Sequence, residues 1–265
     1  MTPSAASTGL AVTPVPAFND NYLWLLARGQ EAAVVDPGDA APVLQALERH
    51  GLRLSAILVT HHHGDHVGGV DELKSRTGAV VHGPAAESID GIDHRLAGGD
   101  MLDVLGTRLR VIDVPGHTAG HIAYFAPDET PPLLFCGDTL FACGCGRLFE
   151  GTPSQMLASL DALAALPAAT RVYCAHEYTL ANIRFALSIE PSNVALLERA
   201  ARDRATRERG EPTLPSTIGL ELATNPFLRC DAPSVRAAVA GSATAESVDR
   251  TSIFASLRQM KNTFR

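Results

Sequence analysis

The chain has 265 residues, of which 46% are hydrophobic and 19% are charged, and its formal net charge is −7 at pH 7. This composition is typical of a globular protein with a well-buried core, and the negative charge argues against non-specific nucleic-acid binding, which needs a broadly basic surface. No run approaches the roughly 18 apolar residues of a membrane-spanning helix, so we expect neither a nucleic-acid nor a membrane partner.

The start of the chain and its cysteines indicate the compartment. Residues 1–8 lack the positively charged segment and the apolar stretch of a secretory signal, so we expect a flexible N-terminus there. The five cysteines show no framework spacing, which favours reduced thiols in a cytoplasmic protein. Cys143 and Cys145 form a closely spaced pair, but no second pair completes a tetrahedral zinc site.

The first half of the chain predicts alternating strands and helices. We expect strands over residues 12–15, 21–27, 31–35, 54–60 and 78–82, with helices over 42–50 and near 70–74. The helical period then disappears. Antiparallel strands are predicted over residues 101–105, 107–114, 122–125 and 133–135, before a helix near 154–166 and a strand over 171–174.

Beyond residue 176 the sequence predicts mainly helices, over residues 181–189, 193–209, 233–240 and 247–261. We therefore place a domain boundary near residues 170–178. The chain is predicted to have an α+β fold, with one domain over residues 9–174 and a helical C-terminal domain over residues 175–265.

Histidines and an aspartate cluster directly after the predicted strand 54–60. His61 and His63 are two residues apart, so both rings leave the same face of an extended segment. Gly64 lets the backbone turn and present Asp65 and His66 as further donors. Imidazole and carboxylate side chains at this density are typical of metal coordination. Their number exceeds what one ion uses, so we predict a site for two metal ions.

Further donors follow three other predicted strands at the point where each strand ends. Because rigid strands fix the loops beyond their ends, we expect all these donors to converge on one cavity. Asp138 is the carboxylate that would bridge two cations, and we assign catalytic roles to Asp138 and Asp65. The predicted metal ligands are His61, His63, Asp65, His66, His117, Asp138 and His176.

The other histidines have simpler interpretations. We expect His50 to be exposed at a helix end and His62 to point away from the ligand face. His121 is expected to pack against a ligand or support it. His82 and His94 lie outside the ligand loops.

Two sets of motifs carry a resemblance to a known family. The pattern of residues 60–66, 116–121, 137–139 and 176–179 resembles the metallo-β-lactamase superfamily. Within that superfamily, the chain resembles the hydroxyacylglutathione hydrolases, also called glyoxalase II. The stretches that carry this closer resemblance are residues 19–22, 143–152, 176–179, 225–226 and 258–261.

The resemblance implies a metallo-β-lactamase-like αβ/βα sandwich with a small helical C-terminal domain. It also implies one metal held by His61, His63 and His117, a second held by Asp65, His66 and His176, and Asp138 between them. We expect two divalent ions, zinc in the first place, although iron and manganese suit the same ligands. The implied glutathione contacts are Arg147, Tyr178, Arg258 and Lys261.

Two positions depart from the pattern of animal members of the family. Arg147 replaces a lysine, which keeps the charge but changes the donor geometry. Phe149 replaces a tyrosine, which removes a hydroxyl. We therefore expect the affinity for glutathione to differ and the metal chemistry to be retained.

The implied activity is hydrolysis of an S-(2-hydroxyacyl)glutathione, such as S-D-lactoylglutathione, to glutathione and a 2-hydroxy acid such as D-lactate. This is the second step of methylglyoxal detoxification, and we expect a cytoplasmic monomer. Two other activities of the superfamily stay open: a β-lactam hydrolase shares the fold, and a persulfide dioxygenase uses a single iron. A purely structural metal site is disfavoured, because such sites close with about four ligands, often cysteines.

Overall fold

The computed structural model describes residues 9–240 and 249–264, so the predicted flexible segment 1–8 lies outside the described residues. The strands are Ala11–Ala17 (β1), Asn21–Arg28 (β2), Glu31–Val35 (β3), Arg53–Leu58 (β4), Val80–Pro84 (β5), His94–Leu96 (β6), Met101–Val104 (β7), Thr107–Asp113 (β8), Ile122–Ala126 (β9), Leu133–Gly137 (β10), Leu140–Phe141 (β11), Gly144–Cys145 (β12), Arg171–Cys174 (β13) and Ser216–Thr217 (β14). The helices are Ala40–His50 (α1), Gly64–Val67 (α2), Val70–Thr77 (α3), Pro153–Ala164 (α4), Thr179–Ile189 (α5), Val194–Glu208 (α6), Ile218–Thr224 (α7), Pro233–Ala240 (α8) and Arg250–Thr263 (α9).

The chain divides into two compact units. The first unit contains residues up to Asp113 together with Gly120–Gly137, and the second contains Val114–Ala119 together with the residues from Asp138 onward. The predicted domain boundary near residues 170–178, where a helical C-terminal region begins, stays a prediction.

In the first unit, β1 to β6 form a six-stranded sheet in sequence order. β1, β2 and β3 pair antiparallel, whereas β3 to β6 pair parallel. The apolar residues of β3 and β4 are buried in one core with those of α1 and α3. A continuous apolar run such as that of β3 is expected for a parallel strand covered on both faces. The loop after β4, which holds the histidine cluster, therefore starts from a rigid strand.

The first unit also contains the predicted antiparallel strands, β7 to β10, which pair in sequence order. Every residue of β9 and β10 is buried. The hydroxyl of Tyr124 on β9 donates to the carbonyl oxygen of Val59 at 2.8 Å, which fixes the backbone just before the histidine cluster. The prediction that residues 101–135 form antiparallel strands rather than helices is confirmed.

The second unit contains the β11–β12 hairpin, the β13–β14 pair and helices α4 to α9. α4 begins with Pro153 after a capping box in which Thr152 and Gln155 satisfy each other's backbone N–H groups. Arg199 of α6 is fully buried and pairs with Glu221 of α7 at 2.8 Å. The predicted helical character beyond residue 176 is confirmed.

Several short elements were not predicted: β6, β11, β12, β14, α2 and α7. Most of these have too few residues to show a hydrophobic period. At Gly64 we expected a turn, and the structure has the start of α2 instead, with His63 as its N-cap. In the part of the chain that the structure describes, no helix is both long and apolar enough to cross a bilayer.

Candidate metal centre

The loop after β4 brings together the four predicted ligands of the first unit. The Nε2 atom of His61 lies 3.1 Å from Nδ1 of His63. Asp65 and His66 are neighbours on α2, and Oδ2 of Asp65 lies 3.6 Å from Nε2 of His66. His61 and His66 are buried, with ring centroids 4.0 Å apart. This short segment therefore contains two close pairs of predicted metal ligands, His61 with His63 and Asp65 with His66.

Asp36 lies beside two of these histidines, and the sequence interpretation missed it. Thr60 Oγ1 donates to Oδ2 of Asp36 at 2.8 Å, so its lone pair faces Nδ1 of His61 at 3.1 Å. The same Oδ2 lies 3.1 Å from Nδ1 of His66. With its Nδ1 proton directed at the Thr60 hydroxyl, His61 carries on Nε2 the lone pair that can bind a metal.

Two more residues of the first unit support the cluster. The side-chain amide of Asn21, from one of the motifs of the resemblance, donates to Oδ2 of Asp65 at 3.0 Å. The ring of His121 stacks on His61 with centroids 4.5 Å apart and an interplanar angle of 17°. His121 therefore packs against a predicted ligand, as expected.

The second unit brings together the other three predicted ligands. His117 follows Gly116, Asp138 follows β10, and His176 lies just beyond β13, and all three side chains are buried. Oδ2 of Asp138 lies 3.4 Å from Nε2 of His117, and Oδ1 of Asp138 lies 3.4 Å from Nε2 of His176. Each carboxylate oxygen faces a different imidazole, as expected of a carboxylate placed between two metal ions.

The orientation of His117 is set by the main chain. Its Nδ1–H donates to the carbonyl oxygen of Arg147 at 2.8 Å, so its Nε2 atom carries the lone pair.

The spacing of the donors fits metal ions. Two ligands of a tetrahedral ion lie about 3.4 Å apart when each ligand bond is about 2.1 Å long. The four donor pairs described above are separated by 3.1, 3.6, 3.4 and 3.4 Å. Their chemistry, imidazole nitrogen and carboxylate oxygen, is that of a site for divalent metal ions.

The second unit also holds the predicted substrate contacts, which form a cationic patch. Burial, together with the positive charges of Arg258, Arg184 and Arg147, lowers the pKa of Lys261 to about 8. The sequence interpretation named Arg147, Arg258 and Lys261 but missed Arg184, which lies on α5. Its proximity depends on how α5 and α9 pack, which no local pattern reveals.

Two predicted contacts differ in exposure. Tyr178 is 36% exposed and stacks on His176 with ring centroids 4.7 Å apart. Arg258 is only 5% exposed, and its guanidinium donates to the carbonyl oxygen of Cys145 at 2.7 Å. Phe149, which stands where animal members have a tyrosine, is exposed, and its ring centroid lies 5.2 Å from that of His117.

The remaining histidines have other neighbours. Nδ1 of His62 is 2.9 Å from Oε2 of Glu87, and its predicted direction away from the ligand face stays a prediction. His82 and His94 stack on each other across β5 and β6. His50 is exposed at the end of α1, as expected.

The five cysteines are free thiols and all are buried. Burial raises the pKa of Cys143, Cys174 and Cys230 to about 12 and also raises that of Cys145. Protonated thiols are poor nucleophiles and poor metal ligands. This agrees with the expectation that Cys143 and Cys145 do not form a zinc or redox pair.

Two family models match the chain. Residues 18–176 match the metallo-beta-lactamase superfamily, and residues 177–264 match the hydroxyacylglutathione hydrolase C-terminus. A hydroxyacylglutathione hydrolase of Albidiferax ferrireducens is 57% identical over 256 residues, which cover 96% of this chain and 100% of that protein.

Solved structures share the fold. The B3 metallo-beta-lactamase BLEG-1 aligns with a TM-score of 0.61 at 26% identity, over 83% of this chain and 99% of the other. TTHA1623 in a di-iron-bound form aligns with a TM-score of 0.58 at 28% identity, over 82% of this chain and 100% of the other. The fold is therefore the predicted metallo-β-lactamase-like α+β fold.

Proposed function

The chain belongs to the hydroxyacylglutathione hydrolase family of the metallo-beta-lactamase superfamily, and we propose that it hydrolyses S-(2-hydroxyacyl)glutathione thioesters such as S-D-lactoylglutathione. The observation that carries this proposal is a carboxylate, Asp138, with one oxygen toward His117 and the other toward His176, in the unit that also holds the cationic patch. The first feature suits a dinuclear metal centre and the second suits the carboxylates of glutathione.

The seven predicted ligands hold two ions in this proposal. His61 and His63 act with His117 on one ion, and Asp65 and His66 act with His176 on the other. Asp138 is a ligand of both. The donor spacings within each unit support this assignment, and so does the di-iron form of TTHA1623. Zinc is the proposed metal, with iron or manganese bound where they are more available.

When bound, the two ions supply an activated water and polarise the thioester carbonyl. Neighbouring groups hold the ligands in place: Asp36 orients His61 through Thr60 and lies 3.1 Å from Nδ1 of His66, while the Arg147 carbonyl orients His117. Water adds to the carbonyl carbon, the carbon–sulfur bond breaks, and the products are glutathione and a 2-hydroxy acid. A thiolate with a parent pKa of about 8.5 leaves without a strong general acid, so no further acid–base pair is needed.

Substrate recognition is assigned to the second unit. Arg147 and Lys261 attract the carboxylates of the glutathione moiety, and Arg184 adds to this charge. Tyr178, stacked on His176, offers a hydroxyl and an apolar ring. Arg258 belongs to the same patch but is buried. The functional boundary proposed near residues 170–178 is supported by the two family models, which meet between residues 176 and 177.

We also propose a cytoplasmic monomer that catalyses the second step of methylglyoxal detoxification, without nucleic-acid or membrane partners. The buried, protonated thiols suit a reducing compartment. The net charge of −7 suits a small anionic substrate only because its binding is confined to a local cationic patch.

A substrate panel tests the proposed function. Zinc-loaded protein is assayed with S-D-lactoylglutathione, the lactoyl thioester of a short uncharged thiol, a cephalosporin, and glutathione persulfide with oxygen. We expect the highest kcat/KM for lactoylglutathione, at least about 100-fold above the short thioester, the size of two lost charged hydrogen bonds. Faster turnover of the cephalosporin, or oxygen consumption with the persulfide, would establish one of the alternative activities instead.

A further inference from the structure

The main-chain segment 139–147 connects two parts of the candidate metal centre. It begins directly after Asp138 and ends at Arg147, whose carbonyl oxygen accepts the hydrogen bond from His117. The N–H of Gly146 donates to the carbonyl oxygen of Thr139 at 3.1 Å and closes the segment on itself. A Cβ atom at Gly146 would collide with the backbone oxygen of Asp138, so the segment packs tightly against the main chain of that predicted ligand.

Side chains from three helices of the second unit hold this segment by its main chain. Each of the five consecutive residues 142–146 has a main-chain N–H or C=O group that is hydrogen-bonded to one of four side chains. Three of these side chains lie on helices, and the fourth follows α7 directly. Asn182 of α5 donates to Ala142 at 3.1 Å, Glu221 of α7 accepts from Cys143 at 2.7 Å, and Arg258 of α9 donates to Cys145 at 2.7 Å and to Gly146 at 3.5 Å. Asn225, just after α7, donates to the carbonyl oxygen of Gly144 at 2.9 Å.

These four side chains are buried, and two of them have further partners that hold them in place. Glu221 and Asn225 are fully buried, and Asn182 and Arg258 are each 5% exposed. Glu221 is paired with the buried Arg199 at 2.8 Å, and the Arg258 guanidinium lies over the ring of Phe227, 5.2 Å from its centroid. Buried polar groups that are all hydrogen-bonded specify one geometry, because each lost bond leaves an expensive unsatisfied partner.

We infer that these four side chains, Asn182, Glu221, Asn225 and Arg258, are positioning residues for the metal centre. By fixing residues 142–146 they set the place of the Asp138 carboxylate and the direction in which the Arg147 carbonyl orients His117. The helices of the second unit therefore shape the metal centre in addition to recognising substrate. This inference rests on the proposed function, since it takes His117 and Asp138 to be metal ligands.

The inference changes the role of Arg258 in particular. As a substrate contact alone, its removal would raise KM and leave the metals unaffected. As a positioning residue, its removal frees the carbonyls of Cys145 and Gly146 and loosens the ligands at both ends of the segment. Loss of a group that orients a metal ligand typically weakens metal binding by about 10- to 100-fold.

The experiment measures the rate at which zinc passes from the protein to an excess of a coloured chelator. The wild type is compared with Asn225→Asp, which places an acceptor against the Gly144 carbonyl, and with Arg258→Ala and Arg258→Lys. The matched control is Arg250→Ala. Arg250 lies on the same helix as Arg258, and its guanidinium pairs with Asp161 at 2.6 Å. We expect both ions to leave about 10- to 100-fold faster from Asn225→Asp and Arg258→Ala. Arg250→Ala should release zinc at the wild-type rate.

The folding of each variant is checked by thermal unfolding of the metal-free protein. If Asn225→Asp does not fold, the milder Arg258→Lys decides, since it keeps the charge and loses the fixed planar geometry of the guanidinium. Wild-type rates of zinc release in folded Arg258→Ala and Arg258→Lys would overturn the inference, and so would equally fast release from Arg250→Ala. A wild type that binds no zinc would instead contradict the proposed function.

Discussion

Asp138 is the residue on which the proposed dinuclear centre depends most, because its two oxygens face histidines assigned to different ions. Asp138→Ala removes one ligand from each ion at once. We expect zinc content to fall from about two ions to less than one ion per chain, with at least about a 100-fold loss in kcat. Metal analysis after gel filtration checks this. The control is Asp161→Ala, which removes a carboxylate that pairs with Arg250, outside the predicted ligands. If Asp138→Ala retains two ions, the bridging assignment is contradicted.

Lys261 should give substrate binding a characteristic pH dependence. Burial and the neighbouring arginines lower its pKa to about 8, so the side chain is charged below that pH and neutral above it. If the charge attracts glutathione, KM for lactoylglutathione should rise as pH increases through about 8. In Lys261→Arg the rise should disappear from this range, because a guanidinium stays protonated.

The control for this pH effect is the short uncharged thioester, whose KM should not change between the same pH values. A Lys261→Ala variant should raise KM for lactoylglutathione about 10-fold with little effect on kcat, since the contact is equal in ground and transition states. Its KM should also depend less on salt. Equal effects on both substrates would show that Lys261 only supports the helix.

The cysteines should be chemically inert in the folded protein. All five are buried, and burial raises the pKa of four of them, three to about 12. We expect alkylation by iodoacetamide at neutral pH to label none of them within the time that unfolded protein is fully labelled. Rapid labelling of Cys143 with loss of activity would contradict this prediction.

Residues that depend on local sequence were predictable, and those that depend on packing were not. His61, His63, Asp65 and His66 lie in one loop after a recognisable strand. Asp36 reaches the same cluster from the end of β3, and its sequence context, before Pro37 and Gly38, indicated only a turn. Arg184 joins the cationic patch only because α5 lies near α9 in the folded unit.

At the scale of elements, the turn after β3 is packed against α2, which carries Asp65 and His66. A Cβ atom at Gly38 would collide with the backbone oxygen of Asp65. Gly38→Ala should therefore displace α2, lower the free energy of unfolding by about 1–3 kcal/mol and weaken zinc binding at least about 10-fold. Denaturant unfolding and chelator competition measure the two effects.

Gly64→Ala is the matched control, because it adds the same methyl group next to Asp65 where no atom lies within 4 Å. It should bind zinc like the wild type and gain slightly in helix propensity. Equal zinc affinity in Gly38→Ala and Gly64→Ala would show that the position of α2 does not depend on the turn.

Elements with a hydrophobic pattern of their own were predictable, and those that depend on distant residues were not. β3, β13 and α8 have the predicted bounds, because each carries its own apolar residues. β11 and β12 contain two residues each and are held by Glu221, Asn225 and Arg258 from distant helices. Such a hairpin is specified by its tertiary partners, which no local window contains.

At the scale of the whole molecule, each compact unit contains predicted metal ligands. The first contains His61, His63, Asp65 and His66, and the second contains the others. The proposed dinuclear chemistry makes activity depend on both ions, because a bridging Asp138 would have its full set of partners only when both are bound.

Titration of zinc into metal-free protein, with hydrolysis of S-D-lactoylglutathione followed at each step, tests the central claim most directly. We predict no activity without metal, and activity that rises until about two ions are bound per chain and then stays constant. Full activity in metal-free protein, or saturation at a single ion per chain, would contradict the dinuclear thioester hydrolase described above.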